Sequence, residues 1–430
     1  MVYSLTLDSH LNMKQKLVII FALSVFSAYA FAQEPEQWAR FHGPNGQGIS
    51  TATGLPTHWS ATENIAWHTP IPGTGWSSPI IWDNHIFLTS TTDHGKECRL
   101  IALDRKTGKI LWNKLVFTQE PQNKHDRNSF ATPTPVTDGQ RVYAVFGSGG
   151  FVAADFDGNI IWTKTDLHFV SQHGLGTSPM LYGDLLIISI NPTDKDNGFQ
   201  IPWDQSYLLA LDKNTKEERW KGKRGLSRIA HSTPVVIQVS GKDQILSMAG
   251  DVIQGFEPAT GELIWTVKST GEPAVPTPAI GDGIIFAATR CTSPILGINP
   301  DGKGDCTNTH VVWQQSKNSP MTASFLYVKP CLYAGTEEGT FSAFDEATGD
   351  ILWQQRFEGR IDSSPIYADG KIYVTSHIGL TKVIKPNVDP KKSPEIIAEN
   401  EIDAIVQASL AVAGKQLFIR TDKELLCIGK

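Results

Sequence analysis

One phrase, Ile-Ala-Leu-Asp-Arg-Lys-Thr-Gly-Lys-Ile-Leu-Trp at residues 101–112, recurs along this chain and constrains its fold more than any other feature. Clear copies end at Trp220, Trp265 and Trp353, and degenerate copies end at Trp162 and Trp313. Self-similarity at a period of roughly 40–50 residues is typical of chains built from stacked or ring-arranged units. The fold therefore has to be interpreted repeat by repeat.

Each copy of the phrase is typical of a β-hairpin. The apolar run predicts a strand, Asp-x-x-Thr-Gly predicts the turn, and the run into tryptophan predicts the returning strand. A second phrase, rich in Ser, Thr and Pro, precedes the copies at residues 77–81, 131–136, 177–180, 232–235, 275–278 and 363–366. A Gly-bearing turn and an aromatic strand usually follow it. Two hairpins per repeat make four antiparallel strands, which is the blade of a β-propeller.

The number of blades follows from the strand count. Six units end in tryptophan, and a seventh runs from Ser363 to about Ala398 without one. An eighth starts near Gln407 and stops one strand short after Ile428, while residues 64–67 carry a terminal tryptophan without a blade of their own. We therefore predict an all-β fold, an eight-bladed propeller of residues 64–430, closed by pairing its first and last segments, which removes an exposed edge. Seven blades with a loose tail is the alternative.

The N-terminus predicts a targeting segment. Lys14 and Lys16 precede a short apolar stretch at residues 17–26, and Ala30-Phe31-Ala32 offers a cleavage site. Residues 1–12 carry no Lys or Arg, so the true start is expected at Met13. We predict a signal peptide at residues 1–32, an N-terminal extension at 33–63, and a soluble chain exported to the periplasm or beyond the cell, without a membrane span.

Charge and cysteine usage exclude several classes of site. The formal net charge of −6 argues against nucleic acid as a partner. The five cysteines form no Cys-x-x-Cys motif, and the 12 histidines show no ligand spacing, so no metal site is predicted. Residues 301–305 resemble a calcium loop but lack its alternating acidic ligands, which favours a plain turn. Cys291 and Cys306 are expected at opposite ends of a strand, too far apart for a disulfide.

The pattern Ala-x-Asp-x-x-Thr-Gly-x-x-x-Trp, matched in full at residues 102–112 and 343–353, resembles the tryptophan-docking repeat of quinoprotein-type propellers. These include the pyrroloquinoline-quinone (PQQ) alcohol dehydrogenases and the non-enzymatic propeller lipoprotein of the outer-membrane β-barrel assembly machinery. The resemblance covers about residues 64–430. It implies that the strand-ending tryptophans, Trp67 included, are structural wedges between blades. Residues 38–46 and 302–305 are similar to a narrower group of exported PQQ-binding-like propellers.

The same resemblance bears on cofactors. Many dehydrogenases of the family carry an adjacent Cys-Cys ring beside PQQ, and they bind calcium through a Glu, an Asn and an Asp. This chain has no Cys-Cys pair, and none of those ligands can be matched to one of its positions. Because a fold does not imply an activity, we expect neither PQQ nor calcium here.

The loops that cross from one blade to the next line the mouth of the channel, and convergent polar groups at a concave mouth are the default binding site. Gln172-His173-Gly174-Leu175-Gly176 is the best single segment, because its glycines let a ligand approach the imidazole. An insertion at residues 191–205, with Trp203, is expected over the same face. The candidate ligand-binding residues are Trp76, Arg127, His173, Arg228, His231, Arg360, Asp362 and Gln407.

Three functions remain open. The favoured one is a monomeric, non-catalytic scaffold that binds a protein or carbohydrate ligand at the channel mouth. The second is an extracellular polysaccharide lyase with His173 or His231 as base and Arg127 or Arg228 neutralising a uronate. The third is a PQQ-dependent dehydrogenase. A His, Arg and Tyr cluster around one point would favour the lyase, and a merely charged funnel would favour the scaffold.

Overall fold

Eight antiparallel sheets follow one another around a ring in the computed structural model, which describes residues 37–193 and 204–429. Each sheet is one blade, and the first strands of neighbouring blades contact one another around the central channel. One 3-10 turn, Asp93–Gly95, is the only helical element among these residues. No helix in this part of the chain is long and apolar enough to cross a membrane. The prediction of an all-β, eight-bladed propeller is confirmed.

The strands through blade 4 are β1 (Ile65–Pro70), β2 (Ile80–Trp82), β3 (His85–Thr92), β4 (Glu97–Asp104), β5 (Ile110–Thr118), β6 (Val136–Thr137), β7 (Arg141–Val145), β8 (Phe151–Asp155), β9 (Ile160–Lys164), β10 (Met180–Tyr182), β11 (Leu185–Ile190), β12 (Tyr207–Asp212), β13 (Glu218–Lys223), β14 (Val235–Val239), β15 (Lys242–Ala249), β16 (Val252–Phe256) and β17 (Leu263–Lys268). Those of blades 5 to 8 are β18 (Ala279–Ile280), β19 (Ile285–Ala287), β20 (Ile295–Ile298), β21 (Gly304–Asp305), β22 (Val311–Gln315), β23 (Leu326–Val328), β24 (Cys331–Gly335), β25 (Thr340–Asp345), β26 (Ile351–Arg356), β27 (Ile366–Ala368), β28 (Lys371–Thr375), β29 (Leu380–Lys385), β30 (Glu395–Glu401), β31 (Ala411–Ala413), β32 (Gln416–Arg420) and β33 (Glu424–Ile428). Blade 1 is β2–β5, and the other blades follow in chain order.

Blade 8 is completed by the beginning of the propeller. Strand β1 pairs antiparallel with β33, with Ile65 opposite Ile428 and Thr69 opposite Leu425. The sheet order is β1-β33-β32-β31, so the first segment supplies the outermost strand. This is the predicted closure, and the alternative with seven blades is wrong.

The strand-ending tryptophans reach across to the next blade. The indole N–H of Trp67 donates to the carbonyl of Arg105 at 2.9 Å, and that of Trp112 donates to Phe156 at 2.8 Å. The backbone of the turn glycine packs directly against the indole ring: a Cβ on Gly108 would come within 2.5 Å of Trp67. Asp104 stabilises the same turn by accepting a hydrogen bond from the Thr107 amide at 2.8 Å. The repeat phrase thus encodes both a turn and its contact with the neighbouring blade.

Blade 5 departs from this pattern. Its long turn places β21 beside β17 of blade 4 in a parallel pairing, with Trp265 opposite Gly304. Blade 4 therefore gains a fifth strand, and the indole of Trp265 donates to Gln244 within its own blade at 2.9 Å. Asp305, in the sequence that resembles a calcium loop, pairs with Lys268 at 2.8 Å.

The cysteines of blade 5 lie at its two ends. Cys291 is half-buried in the loop between β19 and β20 on the mouth face, whereas Cys306 is buried in the expanded turn at the other end of β20. All five cysteines are free thiols in this structure.

The N-terminal extension runs through the channel. Residues 38–50, here called the channel plug, bond to the innermost strands of blades on several sides of the ring. Trp38 exchanges hydrogen bonds with Ile81 of blade 1 at 2.9–3.0 Å, and Ser50 bonds to Tyr367 of blade 7 at 2.9 Å. Between them, Arg40 donates to the carbonyl of Pro234 at 2.8 Å. The plug therefore occupies the channel below the mouth, so the mouth leads into a pocket with a floor.

Candidate ligand pocket at the channel mouth

A cavity of about 520 Å³ opens on the face formed by the blade-crossing loops. Phe41 of the channel plug belongs to its lining, so the extension contributes directly to the pocket. Aromatic and aliphatic side chains, including Trp76, Val275 and Met321, alternate with polar ones around the wall. A concave site with a few converging polar groups has the character of a ligand pocket.

One hydroxyl side chain from each blade surrounds the pocket, and these residues are here called the hydroxyl ring. The hydroxyl ring consists of Ser78, Thr134, Ser178, Thr233, Thr277, Ser324, Ser364 and Ser409. At seven of the eight blade junctions the backbone N–H of one member donates to the hydroxyl oxygen of the next, at 2.9–3.3 Å. These bonds explain the Ser/Thr-rich phrase that opens each repeat: the side chain joins adjacent blades.

Three histidines, here called the histidine group, lie side by side on one wall. The ring centroids of His125 and His173 are 5.5 Å apart, and those of His173 and His231 are 6.0 Å apart. Asn128 donates to the carbonyl of His173 at 2.6 Å, which holds the first two crossing loops together. Gly176 leaves room for His231, whose ring would be about 3.1 Å from a Cβ there.

The environment of His173 and His231 favours neutral imidazole. Burial lowers the pKa of His231 to about 3, with a further contribution from His173. Burial likewise lowers the pKa of His173, with contributions from His125 and Arg290. The Nδ1 atoms of His173 and His231 are buried and have no hydrogen-bond partner within the described residues. These two imidazoles can accept or donate a hydrogen bond to a ligand only through Nε2, and in the neutral form they add little positive charge at neutral pH.

Arginine–carboxylate pairs surround the mouth. Arg228 forms a bidentate pair with Asp251 at 2.6 and 2.7 Å and also bonds to Glu272 at 3.2 Å. Arg360 donates to Asp362 at 3.0 Å. The pocket-lining carboxylates, Glu272 and Asp362, are thus each held by an arginine. Burial raises the pKa of Glu272 against the lowering influence of Arg228.

Arg290 also lines the pocket but differs from these arginines. It is exposed in the loop between β19 and β20, and its guanidinium has no ion-pair or hydrogen-bond partner within the described part of the chain. Arg40, just below the hydroxyl ring, is fully buried, and burial lowers its pKa to about 10. The only hydrogen bond of its guanidinium within residues 37–193 and 204–429 is to the Pro234 carbonyl, next to Thr233 of the ring.

The structure brings together most of the residues singled out from the sequence. Those that line the cavity are Trp76, Arg127, His173, His231, Asp362 and Gln407. Arg228 and Arg360 do not line it, because each turns to a neighbouring carboxylate instead. Of the insertion at 191–205, residues 194–203 with Trp203 lie outside the described residues. At its base, Thr193 accepts a hydrogen bond from the Gln172 amide at 3.0 Å.

Sequence reasoning missed other lining residues, among them Phe41, His125, Asn128, Glu272 and Arg290. His125 and Asn128 could have been found, since they flank Arg127 in the same crossing loop. Glu272 also lies in a crossing loop. Phe41 and Arg290 could not have been found in this way. Phe41 belongs to a segment outside the repeats, and Arg290 lies in the turn after the second strand of blade 5 rather than in a crossing loop.

The ring of eight four-stranded blades, joined by tryptophans that dock on Asp-x-x-Thr-Gly turns, defines a quinoprotein-type propeller. Within this class, the family described as outer membrane protein assembly factor BamB matches residues 39–168, 157–304 and 305–384, and the chain belongs to that family.

Known proteins show how broad the likeness is. The BamB of Shewanella oneidensis is 21% identical over 370 residues, which cover 74% of this chain and 89% of that protein. A quinoprotein ethanol dehydrogenase of Pseudomonas putida is 36% identical over only 78 residues, or 17% of this chain and 12% of the enzyme. The structure of BamB from Moraxella catarrhalis superposes with a TM-score of 0.60 at 14% identity, covering 85% of this chain and 97% of that one. At such identity the superposition bears on the fold alone.

Proposed function

We propose that this protein is a non-catalytic binding scaffold that holds a segment of a partner protein at its channel mouth, in the context of outer-membrane protein assembly. One observation carries the proposal: polar groups without an acceptor or ion-pair partner among the described residues line a pocket that is closed at one end. These groups are the ring hydroxyls, His173, His231 and Arg290, and the chain belongs to the BamB family. The crossing loops around this pocket form one continuous face, which suits contact with another macromolecule.

The lyase alternative has one observation in its favour, since His173, His231 and Arg127 line the same cavity. The chemistry argues against it. A general base works best with a pKa near the operating pH, whereas burial lowers the pKa of His231 to about 3. Arg228, the second candidate for neutralising a uronate, is engaged by Asp251 and Glu272. We therefore favour binding over catalysis.

The pocket residues do not fit PQQ held with calcium. Calcium needs six to eight oxygen ligands, usually with several carboxylates. The two lining carboxylates, Glu272 and Asp362, lie in the loops before blades 5 and 7, and each is paired with an arginine. The described residues contain no group of three or more His, Cys, Asp or Glu side chains able to hold a metal ion. The donor set consists instead of hydroxyls and imidazoles, and we propose that the site takes no quinone cofactor.

Export remains part of the proposal. Residues 1–32, with their basic start, short apolar stretch and Ala-x-Ala motif, supply its sequence support and lie outside the described residues. A scaffold for outer-membrane assembly would act in the periplasm.

Site-specific photocross-linking in cells tests the scaffold. A photoreactive phenylalanine analogue at Gln172, on the pocket wall, is compared with the same analogue at Lys106, an exposed turn residue on the opposite face. We expect an adduct with a subunit of the outer-membrane β-barrel assembly machinery from position 172 alone. Equal adducts from both positions, or none from position 172, would contradict the proposal.

A further inference from the structure

We propose that the hydroxyl ring, together with Arg290 and His173, binds a carboxylate group of the ligand that occupies the channel mouth. This inference deepens the proposed function and rests on it only in that a ligand reaches the pocket from the mouth.

The O–H groups of the hydroxyl ring have no hydrogen-bond acceptor among the described residues. Seven of its oxygens already accept a backbone N–H from the neighbouring blade, as described above. The eighth, Thr277, has no hydrogen-bond partner within the described residues. None of the eight hydroxyls donates a hydrogen bond to another described residue. Since a hydroxyl carries one donor and two acceptor sites, each retains its O–H. The hydroxyl oxygen of Thr277 is shut off from solvent, so the other seven are the donors available to a group in the pocket.

Arg290 adds charge to these donors. Its guanidinium makes no ion pair within the described chain, unlike those of Arg228 and Arg360, although its charge acts to lower the pKa of Glu272 against the effect of burial. It lies close enough to His173 to lower the pKa of that imidazole. A guanidinium beside neutral N–H and O–H donors is a typical carboxylate site, because charge-assisted bonds to carboxylate are about twice as strong as neutral ones.

Arg40 makes the floor of the pocket electropositive. It is buried below the ring at Pro234, and no carboxylate in the described residues pairs with it. An isolated buried charge is costly unless something compensates for it, and an anion above the ring would do so. Arg40 does not itself line the cavity, so we assign it a long-range electrostatic effect rather than direct contact.

The remaining wall favours a monoanion over a phosphate. Glu272 and Asp362 also line the cavity and would repel a dianion more strongly than a carboxylate. Trp76, Val275 and Met321 offer apolar surface for the carbon skeleton that carries the acid. The pocket thus combines anion donors with an apolar wall.

Isothermal titration calorimetry with the exported chain tests this site. The probes are N-acetylglutamate N-methylamide, which represents a peptide acid, and methyl glucuronide, which represents a sugar acid. Their neutral amides and inorganic phosphate are the comparison ligands. We expect saturable binding of at least one acid and at least tenfold weaker binding of its amide. The acid that binds identifies the peptide or the sugar as the source of the carboxylate.

Two variants separate the site from general charge effects. Arg290→Gln, at an exposed position, should weaken acid binding by at least about tenfold, and Arg290→Lys should restore part of it. Arg219→Gln removes the same charge from an exposed position of the outer strand β13 and should leave binding unchanged. Circular dichroism of each variant checks that the fold is intact.

Several results would overturn the inference: no binding of either acid, equal binding of the amides, tighter binding of phosphate, or full affinity in Arg290→Gln. Such a failure is distinguishable from failure of the scaffold proposal, since the adduct expected at position 172 does not depend on a carboxylate.

Discussion

The guanidinium of Arg127 pairs with the carboxylate of Glu337 across the mouth of the channel. Arg127 lies in the loop that enters blade 2, and Glu337 lies in the turn between β24 and β25 of blade 6, on the opposite side of the ring. The ion pair therefore holds the loop of residues 119–135, between β5 and β6, over part of the pocket. Both side chains are partly exposed, so the contact restricts the loop more than it stabilises the fold.

Glu337→Gln should release this loop. We expect the free energy of unfolding to fall by no more than about 1 kcal/mol, as for other exposed ion pairs, while tryptic cleavage after Lys124 and Arg127 becomes several-fold faster. Limited proteolysis followed by mass spectrometry measures the rate. Glu338→Gln, one residue along and without an ion pair among the described residues, is the control. Equal cleavage in both variants would show that the ion pair does not hold the loop.

Gly108→Ala tests the docking of Trp67. The alanine would have to adopt a φ of +72° and place its Cβ within 2.5 Å of the indole. Gly370→Ala imposes the same φ of +72° where nothing lies within 4 Å. Left-handed backbone costs each variant about 1–2 kcal/mol, and the steric clash should cost Gly108→Ala a further 1–3 kcal/mol or so. Urea unfolding of both proteins gives the difference, and equal stabilities would contradict the wedge role.

The stability of the protein should fall in acid partly through His42 of the channel plug. Burial lowers the pKa of His42 to about 4, from an ordinary value of 6.5. Between these values the unfolded chain binds the proton more readily than the folded one, so the stabilising contribution is full above about pH 6.5 and is lost as the pH falls towards 4. His42→Gln should flatten the melting-temperature profile in this window. The exposed His58→Gln is the control, and a profile unchanged by His42→Gln would disprove the assignment.

We expect Cys291 and Cys306 to remain unlinked in the purified protein, even under oxidising conditions, because they lie at opposite ends of β20. Native alkylation should modify the half-buried Cys291 well before Cys306, since burial raises the pKa of the Cys306 thiol and removes it from solvent. Peptide mapping without reduction checks both points. A linked Cys291–Cys306 peptide would mean that the expanded turn folds back along the blade.

The purified protein should not bind PQQ when calcium is supplied, nor reduce a dye with alcohols or sugars. The reason is the donor set of the pocket, in which both lining carboxylates are already paired with arginines. Absorbance after gel filtration measures retained cofactor. Stoichiometric PQQ would contradict this prediction.

The sequence by itself determined the blades, because each repeat encodes contacts that are local or reach only the next repeat. Asp104, Thr107 and Gly108 form one turn, and Trp67 docks on it from the adjacent blade. The tryptophan of the first segment and the missing last strand were enough to predict that β1 pairs with β33.

Only the tertiary structure decided what fills the channel and which side chains face the pocket. The plug has no repeat, and Arg40 bonds to a backbone carbonyl 194 positions along the chain, a contact that any sequence could offer at Pro234. Arg228 and Arg290 both lie near the mouth. Arg228 bonds to Asp251 and does not line the cavity, whereas Arg290 does. Repetition fixes the backbone of a blade, whereas the direction of a loop side chain depends on which charged group lies nearest to it in the folded ring.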